Sequence, residues 1–585
     1  MQFQHDKEKH RPNQFDGCVF TADLTFIKHE QLYKLLNHGN MFRTISRESV
    51  SPTITLVESL KTFFEKFSTP IEPECAQFIS KVQQDVKKIV SDDKNINGDG
   101  ELEFTTDSIK HLRMLQRSFV FVPIDKAAHN LAIVCKKLYL DILNKELTSI
   151  TQTYQDVTQT KQEIINKHQT YFKHFNIKTH DELPYLYFLP KLHKTPISFR
   201  FVAGSAKVTT TNTSKILANV LQFVLNELEK KDNLNIKLTG IRRFFVVHGY
   251  EKVANYLQSV LKSDKRRHLF TGDFSTMYTT IPHDDLKEKL GIHEAFEWGS
   301  KHTKILDTNL IIKWTSGECA WATASVINNG IIVCQDSNKM HEFTVERIIE
   351  LIKFLTDNVY IMNGNKIRRQ ATGIPMGTNN APPVANLYLY GYESKYIDQL
   401  VSSNKIELAM SFNKTFRLID DVLSLDNLIF LILMYDIYPP ALILNNTNIT
   451  DTHVTFLGMN IREDEGHTLS MDIYDKRKEF GYVVRRYPHA NSVIPKYICR
   501  NVLTGQLYRF YRICSERREF LESAVDCAML LCKQGTSYAT LEKCFRKFLG
   551  QQSRFKWKNT NAVVMCRSFR TTWGTKENSP DPFPL

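Results

Sequence analysis

Two adjacent carboxylates lie inside an apolar stretch of the sequence. Asp420 and Asp421 interrupt residues 416–425, FRLIDDVLSL, whose other members are mostly aliphatic. A buried carboxylate is unfavourable unless a cation or hydrogen-bond donors compensate its charge. An isolated Asp-Asp pair is commonly part of a turn, but turns are rich in Gly, Asn and Ser, whereas these flanks are branched and apolar. The pattern therefore favours a strand hairpin that presents both carboxylates to a divalent metal ion.

A third carboxylate ends another apolar segment. In residues 268–275, HLFTGDFS, Asp273 follows a predicted strand. Hard divalent cations bind carboxylate oxygens and substrate phosphates, and two such ions about 4 Å apart can stabilise the attacking and leaving oxygens of a phosphoryl transfer. We therefore predict that Asp273, Asp420 and Asp421 are catalytic residues that bind two Mg²⁺ ions, with Mn²⁺ as the alternative metal.

The charge distribution indicates a polyanionic partner. The chain has a formal net charge of +13, and most of this excess falls within residues 471–570, where Lys and Arg greatly outnumber Asp and Glu. A localised basic block is the electrostatic footprint of nucleic-acid binding. A solvated basic surface would have the same composition, so charge alone leaves both interpretations open.

Other sequence features exclude several classes of protein. The 11 cysteines are scattered without a CxxC pair, so neither a disulfide framework nor a zinc module is predicted. The first residues lack the apolar core of a secretory signal, and the longest apolar run, residues 428–435, is too short to span a bilayer. We expect a nuclear or cytoplasmic protein that is not secreted and has no transmembrane segment. No GxxxxGK[ST] loop is present, which argues against a helicase.

The elements that must position the acids follow from hydrophobic periodicity. The first 115 residues are predicted to be mostly helical, and short strands begin at Phe119. A Gly-rich loop at residue 371 leads into a helix with Pro382 in its first turn, where proline is tolerated. The last 15 residues are predicted to be disordered. Further predictions are helices at 56–67, 75–90, 341–358 and 495–550, strand pairs at 119–135 and 184–205, and one strand at 454–461.

Five separated motifs resemble one family of enzymes. LPKLHK with FRFVAGS, then DFSTMYTTIP, GIPMGTNNAPPVANLYLY, LIDD and FLGMNI occur in the order found in reverse transcriptases of Penelope-like retroelements. The resemblance extends from about residue 122 to about residue 548. It implies an α+β fold of the right-hand polymerase type. A helical N-terminal region (1–115) would precede the fingers (116–265), a palm of antiparallel sheet and helices (266–470) and a helical thumb (471–550), and a basic, then disordered tail would follow (551–585).

The resemblance also implies roles for individual residues. Arg200, with Lys191 near it, would bind the triphosphate of the incoming nucleotide, and Tyr278 would lie under its sugar. Gln370 and the loop from Gly373 to Gly377 would support the template base and the nucleotide pocket. The primer grip would include Phe456 and Gly458. Each residue also has a structural interpretation, since Arg200 could be an ordinary surface residue of a strand, Tyr278 a core residue, and the glycines simple turn residues.

Three positions depart from the family pattern. Leu418 stands where the family usually has Tyr, Gly458 replaces an acid often found in the primer-grip turn, and Asn445 lies where related chains often carry Lys. The acids themselves are retained, so metal chemistry is expected. No GIY-YIG endonuclease motif follows residue 548, so we expect an endonuclease-lacking type or a truncated copy, with any endonuclease supplied in trans.

The function predicted from these observations is RNA-directed DNA polymerisation. The expected partners are an RNA template, a DNA primer with its product duplex and deoxynucleoside triphosphates, without a membrane. A related polymerase that makes RNA is disfavoured by Tyr278, which would reject a 2′-hydroxyl. The remaining alternative is a catalytically decayed or co-opted copy that binds nucleic acid. Retention of all three acids argues against decay.

Overall fold

The computed structural model describes most of the chain from residue 20 onward. The described residues are 20–25, 27–40, 42–43, 52–65, 72–93, 105–148, 153–288, 290–306, 309–323, 340–480, 482, 484–490, 492, 494–495, 497–552, 556–557 and 564–568. Helices and mostly antiparallel sheets alternate along them, so the predicted α+β class is confirmed. The tail predicted to be disordered lies outside the described residues.

The described residues of the N-terminal part are mostly helical, as predicted, and they include one strand that the sequence did not reveal. Strand β1 (Phe20–Thr21) pairs with residues 133–134 of a later strand. The helices are α1 (Glu30–Asn37), α2 (Pro52–Glu65), α3 (Pro73–Asp93) and α4 (Thr106–Ser118).

Two hairpins form the next part of the chain. Strands β2 (Phe119–Ile124) and β3 (Ala127–Cys135) complete the β1-β3-β2 sheet, and β5 (Leu186–Lys191) pairs with β6 (Ser198–Ala203). Both hairpins were predicted, and they share one hydrophobic core, which includes Phe188 and Val122. The elements between and after them are α5 (Lys136–Leu147), β4 (Tyr154–Asp156), α6 (Lys161–Lys173), α7 (Thr211–Thr239) and α8 (Tyr250–Ser259).

A four-stranded antiparallel sheet with the order β13-β14-β7-β15 occupies the centre. Its strands are β7 (Leu269–Ser275), β13 (Thr415–Leu418), β14 (Asp421–Leu425) and β15 (Ile443–Asn446). One surface of the sheet packs into the largest core, through Phe270, Phe274 and Val422. Leu269, Leu423 and Leu425 pack into a second core on the other surface. Because both surfaces are covered, the strands are apolar on both sides, which explains the flanks of the Asp-Asp pair.

Helices and two small sheets surround the central sheet. Helices α9 (Met277–Thr280), α10 (His283–Glu288), α11 (Ile292–Thr303) and α12 (Val345–Asp357) lie between β7 and α13 (Ala381–Ser402) in sequence. Strands β8 (Leu310–Thr315), β9 (Glu318–Thr323) and β10 (Met340–Phe343) form one sheet, and β11 (Tyr360–Asn363) and β12 (Lys366–Gln370) join β4 in another. Helices α14 (Ile406–Ser411) and α15 (Phe430–Ile437) follow α13 and β14, respectively.

The C-terminal part has its own helical core. Strands β16 (His453–Phe456), β17 (Met459–Glu463) and β18 (Leu469–Ile473) form an antiparallel sheet, and a 3₁₀ helix covers Lys476–Glu479. Helices α16 (Tyr497–Ile513), α17 (Arg517–Lys533) and α18 (Tyr538–Gly550) then pack around residues such as Leu507 and Phe548. The predicted helices over 495–550 are therefore confirmed.

Two element predictions were wrong in detail. The helix predicted at 341–358 begins at Val345, because the Thr344 side chain accepts a hydrogen bond from the Arg347 N–H and starts the helix there, while 340–343 is strand β10. The single strand predicted at 454–461 is a hairpin, since Leu457 (φ 49°) and Gly458 (φ 76°) form a two-residue turn. Such left-handed pairs match the twist of antiparallel strands.

None of the helices within the described part of the chain combines the length and the apolar character needed to cross a bilayer.

Candidate active site

The three predicted acids meet where the β13–β14 turn lies beside β7 in the central sheet. Asp421 of β14 lies directly opposite Asp273 of β7 in the antiparallel register, and Asp420 occupies the turn that precedes β14. One carboxylate oxygen from each residue lies within 4.8 Å of the others. The turn is joined to β7 by a 3.0 Å hydrogen bond from the Phe274 N–H to the Asp420 carbonyl.

The carboxylates disturb one another electrostatically. Asp421 is exposed toward the cleft, but protein atoms surround much of it, and this burial, together with the charges of Asp420 and Asp273, raises its pKa to about 7. Burial and the charge of Asp420 also raise the pKa of Asp273. Because neighbouring negative charges raise the pKa of Asp421 and of Asp273, the group of three acids suits a bound divalent cation, whose oxygen ligands would be these carboxylates.

A buried ion pair holds the turn that carries Asp420. Ile419 has a left-handed φ of 57°, which is strained for a β-branched residue. Arg417, fully buried, donates to the Ile419 carbonyl (3.2 Å) and forms two hydrogen bonds with the Glu393 carboxylate of α13 (2.5 and 3.0 Å). Asn386 accepts from the same guanidinium, and the Tyr438 hydroxyl donates to Glu393 (2.9 Å). Sequence reasoning missed this network, because nothing local marks Arg417 or Glu393 as buried.

Cations from the β5–β6 hairpin face the acids. Lys191, at the end of β5, lies within electrostatic range of Asp273 and Arg200. Arg200 of β6 lies 3.4 Å from the buried Asp125 carboxylate and is one of the charges that act on Tyr278. The structure therefore brings both sequence-predicted cations close to the acids, on the β5–β6 hairpin that faces them.

Three more cations at this site were not predicted from the sequence. Lys126, at the tip of the β2–β3 hairpin, and Lys476, in the 3₁₀ helix, both act on Asp421, while Lys194 acts on Asp273. Burial lowers the pKa of Lys476, and the nearby Lys194 and Lys126 lower it further. Such mutual repulsion among cations suits a polyanionic ligand such as a triphosphate. Lys126 lies in the turn of the strand pair predicted at 119–135, so its turn position was the available signal.

Tyr278 lies beside this group and is held by the glycine loop. It is half-buried in helix α9, packs against the largest core, and has Asp420 and Arg200 as electrostatic neighbours. Its carbonyl accepts a 2.6 Å hydrogen bond from the Ile374 N–H. Gly373 has a φ of 81°, and a Cβ there would lie 2.3 Å from the Tyr278 carbonyl oxygen. Only glycine allows the loop to approach Tyr278 this closely.

The remaining residues of the glycine loop connect the region around Tyr278 to the β5–β6 hairpin. Gly377 has a φ of 113°, and a Cβ there would lie 2.7 Å from the Ala203 carbonyl oxygen of β6. The Ala203 N–H in turn donates to the Met376 carbonyl at 2.9 Å. Gln370 is buried and donates to the Thr372 carbonyl at 2.9 Å, so its amide supports the loop from within.

The predicted primer-grip residues lie on a separate sheet. Phe456 is buried in the second core, and Gly458 lies in the β16–β17 turn, where its carbonyl accepts hydrogen bonds from the Tyr474 N–H (3.1 Å) and the Arg509 guanidinium (3.3 Å). Strand β16 packs against β7 and β14. Among the described residues, no hydrogen bond or ion pair joins this turn to the three acids, so only the shared packing connects them.

The two other departures lie in the central sheet. Leu418 is the β13 partner of Asp421 and packs at the edge of the second core. Asn445 of β15 lies directly opposite Asp273, on the side away from β14, and donates to the Ser275 hydroxyl. An amide at this place offers no readily transferable proton, but Lys126, Lys194 and Lys476 provide ammonium groups nearby.

Comparisons with known proteins leave the family open. No family model matches the chain, and no curated protein matches it. Among solved structures, the fold is similar to telomerase from Candida albicans in complex with a TWJ fragment of telomeric RNA (TM-score 0.49, 11% identity, 82% of this chain and 74% of that one). It is also similar to apo telomerase from Candida tropicalis (0.41, 12%, 94% and 92%) and to the RNA-dependent RNA polymerase of bacteriophage phi12 (0.32, 12%, 65% and 56%). At such scores and identities no activity transfers to this chain.

Proposed function

We propose that the protein is an RNA-directed DNA polymerase of a Penelope-like retroelement, which transfers nucleotides onto a primer 3′-hydroxyl. The observation that supports it most is the set of three carboxylates with oxygens within 4.8 Å of one another, faced by cations from separate elements. A site with acids on one side and cations on the other suits a nucleoside triphosphate together with divalent metal ions.

In this proposal the acids bind metal ions and the cations bind the triphosphate. Asp273, Asp420 and Asp421 hold two Mg²⁺ or Mn²⁺ ions, which when bound would activate the primer hydroxyl and neutralise charge on the leaving pyrophosphate. The cationic side chains opposite them bind and orient the triphosphate, and the ammonium groups of the lysines among them are the available proton donors to pyrophosphate. These cations are Lys126, Lys191, Lys194, Arg200 and Lys476.

Sugar selection is assigned to Tyr278. Its backbone is held by the Gly373 loop and its ring packs against the largest core, so the ring has little freedom to move aside for a 2′-hydroxyl, the group that distinguishes RNA from DNA. In this proposal Gln370 and Gly377 keep the loop in place, and Phe456 and Gly458 contribute to the primer grip through the packing of β16.

The domain assignment follows the same division. We assign residues 116–265 to the fingers, 266–470 to the palm and 471–550 to the thumb, preceded by a helical region and followed by a basic tail. The thumb contains the basic helices and would hold the template–primer duplex. An endonuclease supplied in trans, and a nuclear or cytoplasmic location, complete the proposal.

Primer extension tests the proposal directly. The full chain is incubated with an RNA template, a DNA primer, Mg²⁺ or Mn²⁺, and either deoxynucleotides or ribonucleotides, with Asp420→Asn as the inactive control. We expect extension with deoxynucleotides only, and none in the control. Extension with ribonucleotides would instead identify an RNA-making enzyme, and tight template–primer binding without extension would identify a co-opted binding protein.

A further inference from the structure

A tyrosine at the far end of the β5–β6 hairpin exposes most of its side chain. Tyr185 directly precedes β5 and is 62% exposed, although large aromatic side chains are normally well buried. Its carbonyl accepts a 2.8 Å hydrogen bond from the Gly204 N–H, so its backbone continues the pairing of the hairpin. The residue is therefore fixed in position while its ring remains available to a ligand.

The ring lies against the backbone of the opposite strand. A Cβ at Gly204 would lie 2.9 Å from two ring atoms of Tyr185, so the absence of a side chain at Gly204 leaves space for the ring. Tyr187 supports it from the side, with ring centroids 5.8 Å apart and planes inclined at 40°. An aromatic ring that packs against backbone and is open on its outer side offers a surface on which a planar group can stack.

This surface is continuous with the candidate active site. Side chains alternate along a strand, so Tyr185, Tyr187 and Lys191 project from the same side of β5, while Leu186 and Phe188 are buried on the other. The register places Arg200 opposite Leu189, on that same side. A nucleic-acid template strand that leaves the nucleotide pocket near Lys191 and Arg200 can therefore follow this side of the hairpin to Tyr185.

We propose that Tyr185 stacks on an unpaired base of the template strand ahead of the polymerisation site, which deepens the proposed function and rests on it. The six steps along the chain from Tyr185 to Lys191 span about 20 Å. At roughly 3.4 Å per stacked nucleotide, the contacted base lies at about the sixth unpaired template position, beyond the reach of a two-nucleotide overhang. Base–aromatic stacking is tolerant of sequence, so the contact holds any template.

Template overhang length provides the test. Binding of a fluorescent RNA template–DNA primer duplex is measured by anisotropy, without nucleotides or metal, for overhangs of two and of ten unpaired nucleotides. Tyr185→Ala should weaken binding of the long overhang at least fivefold, about 1 kcal/mol at 25 °C, and leave the short overhang within twofold. Tyr185→Phe should retain both affinities because the ring remains.

A matched control separates the site from general loss of an aromatic ring. Tyr435 is 76% exposed on α15, a helix that packs on the surface of the central sheet opposite the acids, through Phe430 and Met434. Tyr435→Ala should leave both affinities unchanged. Equal losses for the two overhangs in Tyr185→Ala, or no loss for either, would overturn the inference.

A second measurement locates the base. A 2-aminopurine placed at successive overhang positions should be quenched at about the sixth position in the wild type and not in Tyr185→Ala. Quenching that is the same in both proteins would also overturn the inference. Because neither measurement requires catalysis, a chain that binds in this way but does not extend primers would refute the proposed function alone.

Discussion

Replacing both members of the buried Arg417–Glu393 pair should preserve the fold but weaken metal binding by the acids. The double variant Arg417→Met/Glu393→Leu fills the same space with apolar side chains. Each single variant, Glu393→Leu or Arg417→Met, instead leaves one charge without its partner in the core. The pair joins the strained Ile419 to helix α13, which carries Glu393. The three variants therefore separate the effect on the stability of the fold from the effect on the position of Asp420.

The magnitudes follow from complete burial. Both side chains are fully inaccessible to solvent, and leaving one such charge unpaired costs about 3–5 kcal/mol, whereas apolar replacement of both is often neutral or stabilising. The double variant should therefore unfold within about 1 kcal/mol of the wild type. It still loses the donor to the Ile419 carbonyl, which holds a left-handed residue whose strain is about 1–3 kcal/mol. Relaxation of that strain moves Asp420, and we expect metal affinity to fall about tenfold, or about 1.4 kcal/mol.

Urea unfolding and Mn²⁺ titration followed by electron paramagnetic resonance measure the two effects separately. Tyr438→Phe, which removes only the hydroxyl that donates to Glu393, is the mild control and should bind Mn²⁺ within about twofold of the wild type, a difference of about 0.4 kcal/mol. A double variant that binds Mn²⁺ as tightly as the wild type would refute the positioning role. Single variants as stable as the wild type would refute the burial argument.

The other predictions concern catalysis, sugar choice, pH and salt. Asp273→Asn should retain fold and RNA binding but less than about a tenth of the extension rate, equivalent to at least 1.4 kcal/mol of barrier, and a higher rate in extension assays would exclude it as a metal ligand. Tyr278→Ala should raise ribonucleotide relative to deoxynucleotide incorporation at least about tenfold, whereas a core role would instead cost about 3–5 kcal/mol of stability. Burial lowers the pKa of His168 from 6.5 to about 4, so between these pH values the unfolded chain binds more protons than the folded chain. The stability present above pH 6.5 should therefore decrease toward pH 4, by up to about 3 kcal/mol. Urea unfolding of His168→Gln should show a smaller decrease over the same pH range. Arg500→Gln/Lys547→Gln, at exposed positions of α16 and α18, should lower the slope of log affinity against log salt by up to about 2, and an unchanged slope would place the duplex elsewhere.

Three of the four central strands and the acids were predictable because their signals are local, whereas β15 was not predicted. The apolar flanks of Asp420 and Asp421 identified a hairpin from its own residues, and the strand before Asp273 did the same. The order of the five motifs then assigned the hairpin with Asp420 and Asp421 and the strand before Asp273 to one predicted site. That all three carboxylates meet in one register is a property of the sheet, which the structure supplies.

What the sequence did not reveal depends on contacts between distant elements. Lys126 and Lys476 belong to segments far apart in the chain, and only the fold places both near Asp421. The Arg417–Glu393 pair has the same origin, since charged residues at these positions would ordinarily be expected on the surface. The turn at Leu457 was missed for a different reason: leucine rarely adopts a left-handed φ, and Gly458 alone does not fix where a strand ends.

Asp421 of β14 and Asp273 of β7 are directly opposite each other in the strand register, and this pairing restricts how the lengths of β7 and β14 can change. A strand alternates its side chains with a period of two, so one residue inserted into β14 ahead of Val422 would turn the Asp421 carboxylate toward the largest core and put the inserted side chain opposite Asp273. Two inserted residues would restore the side but displace the carboxylate by about 7 Å along the strand. Homologous chains can therefore vary in the residues of β7 and β14 far more readily than in the number of residues between their ends and the acids, and a single-residue length change in either strand would separate the three carboxylates.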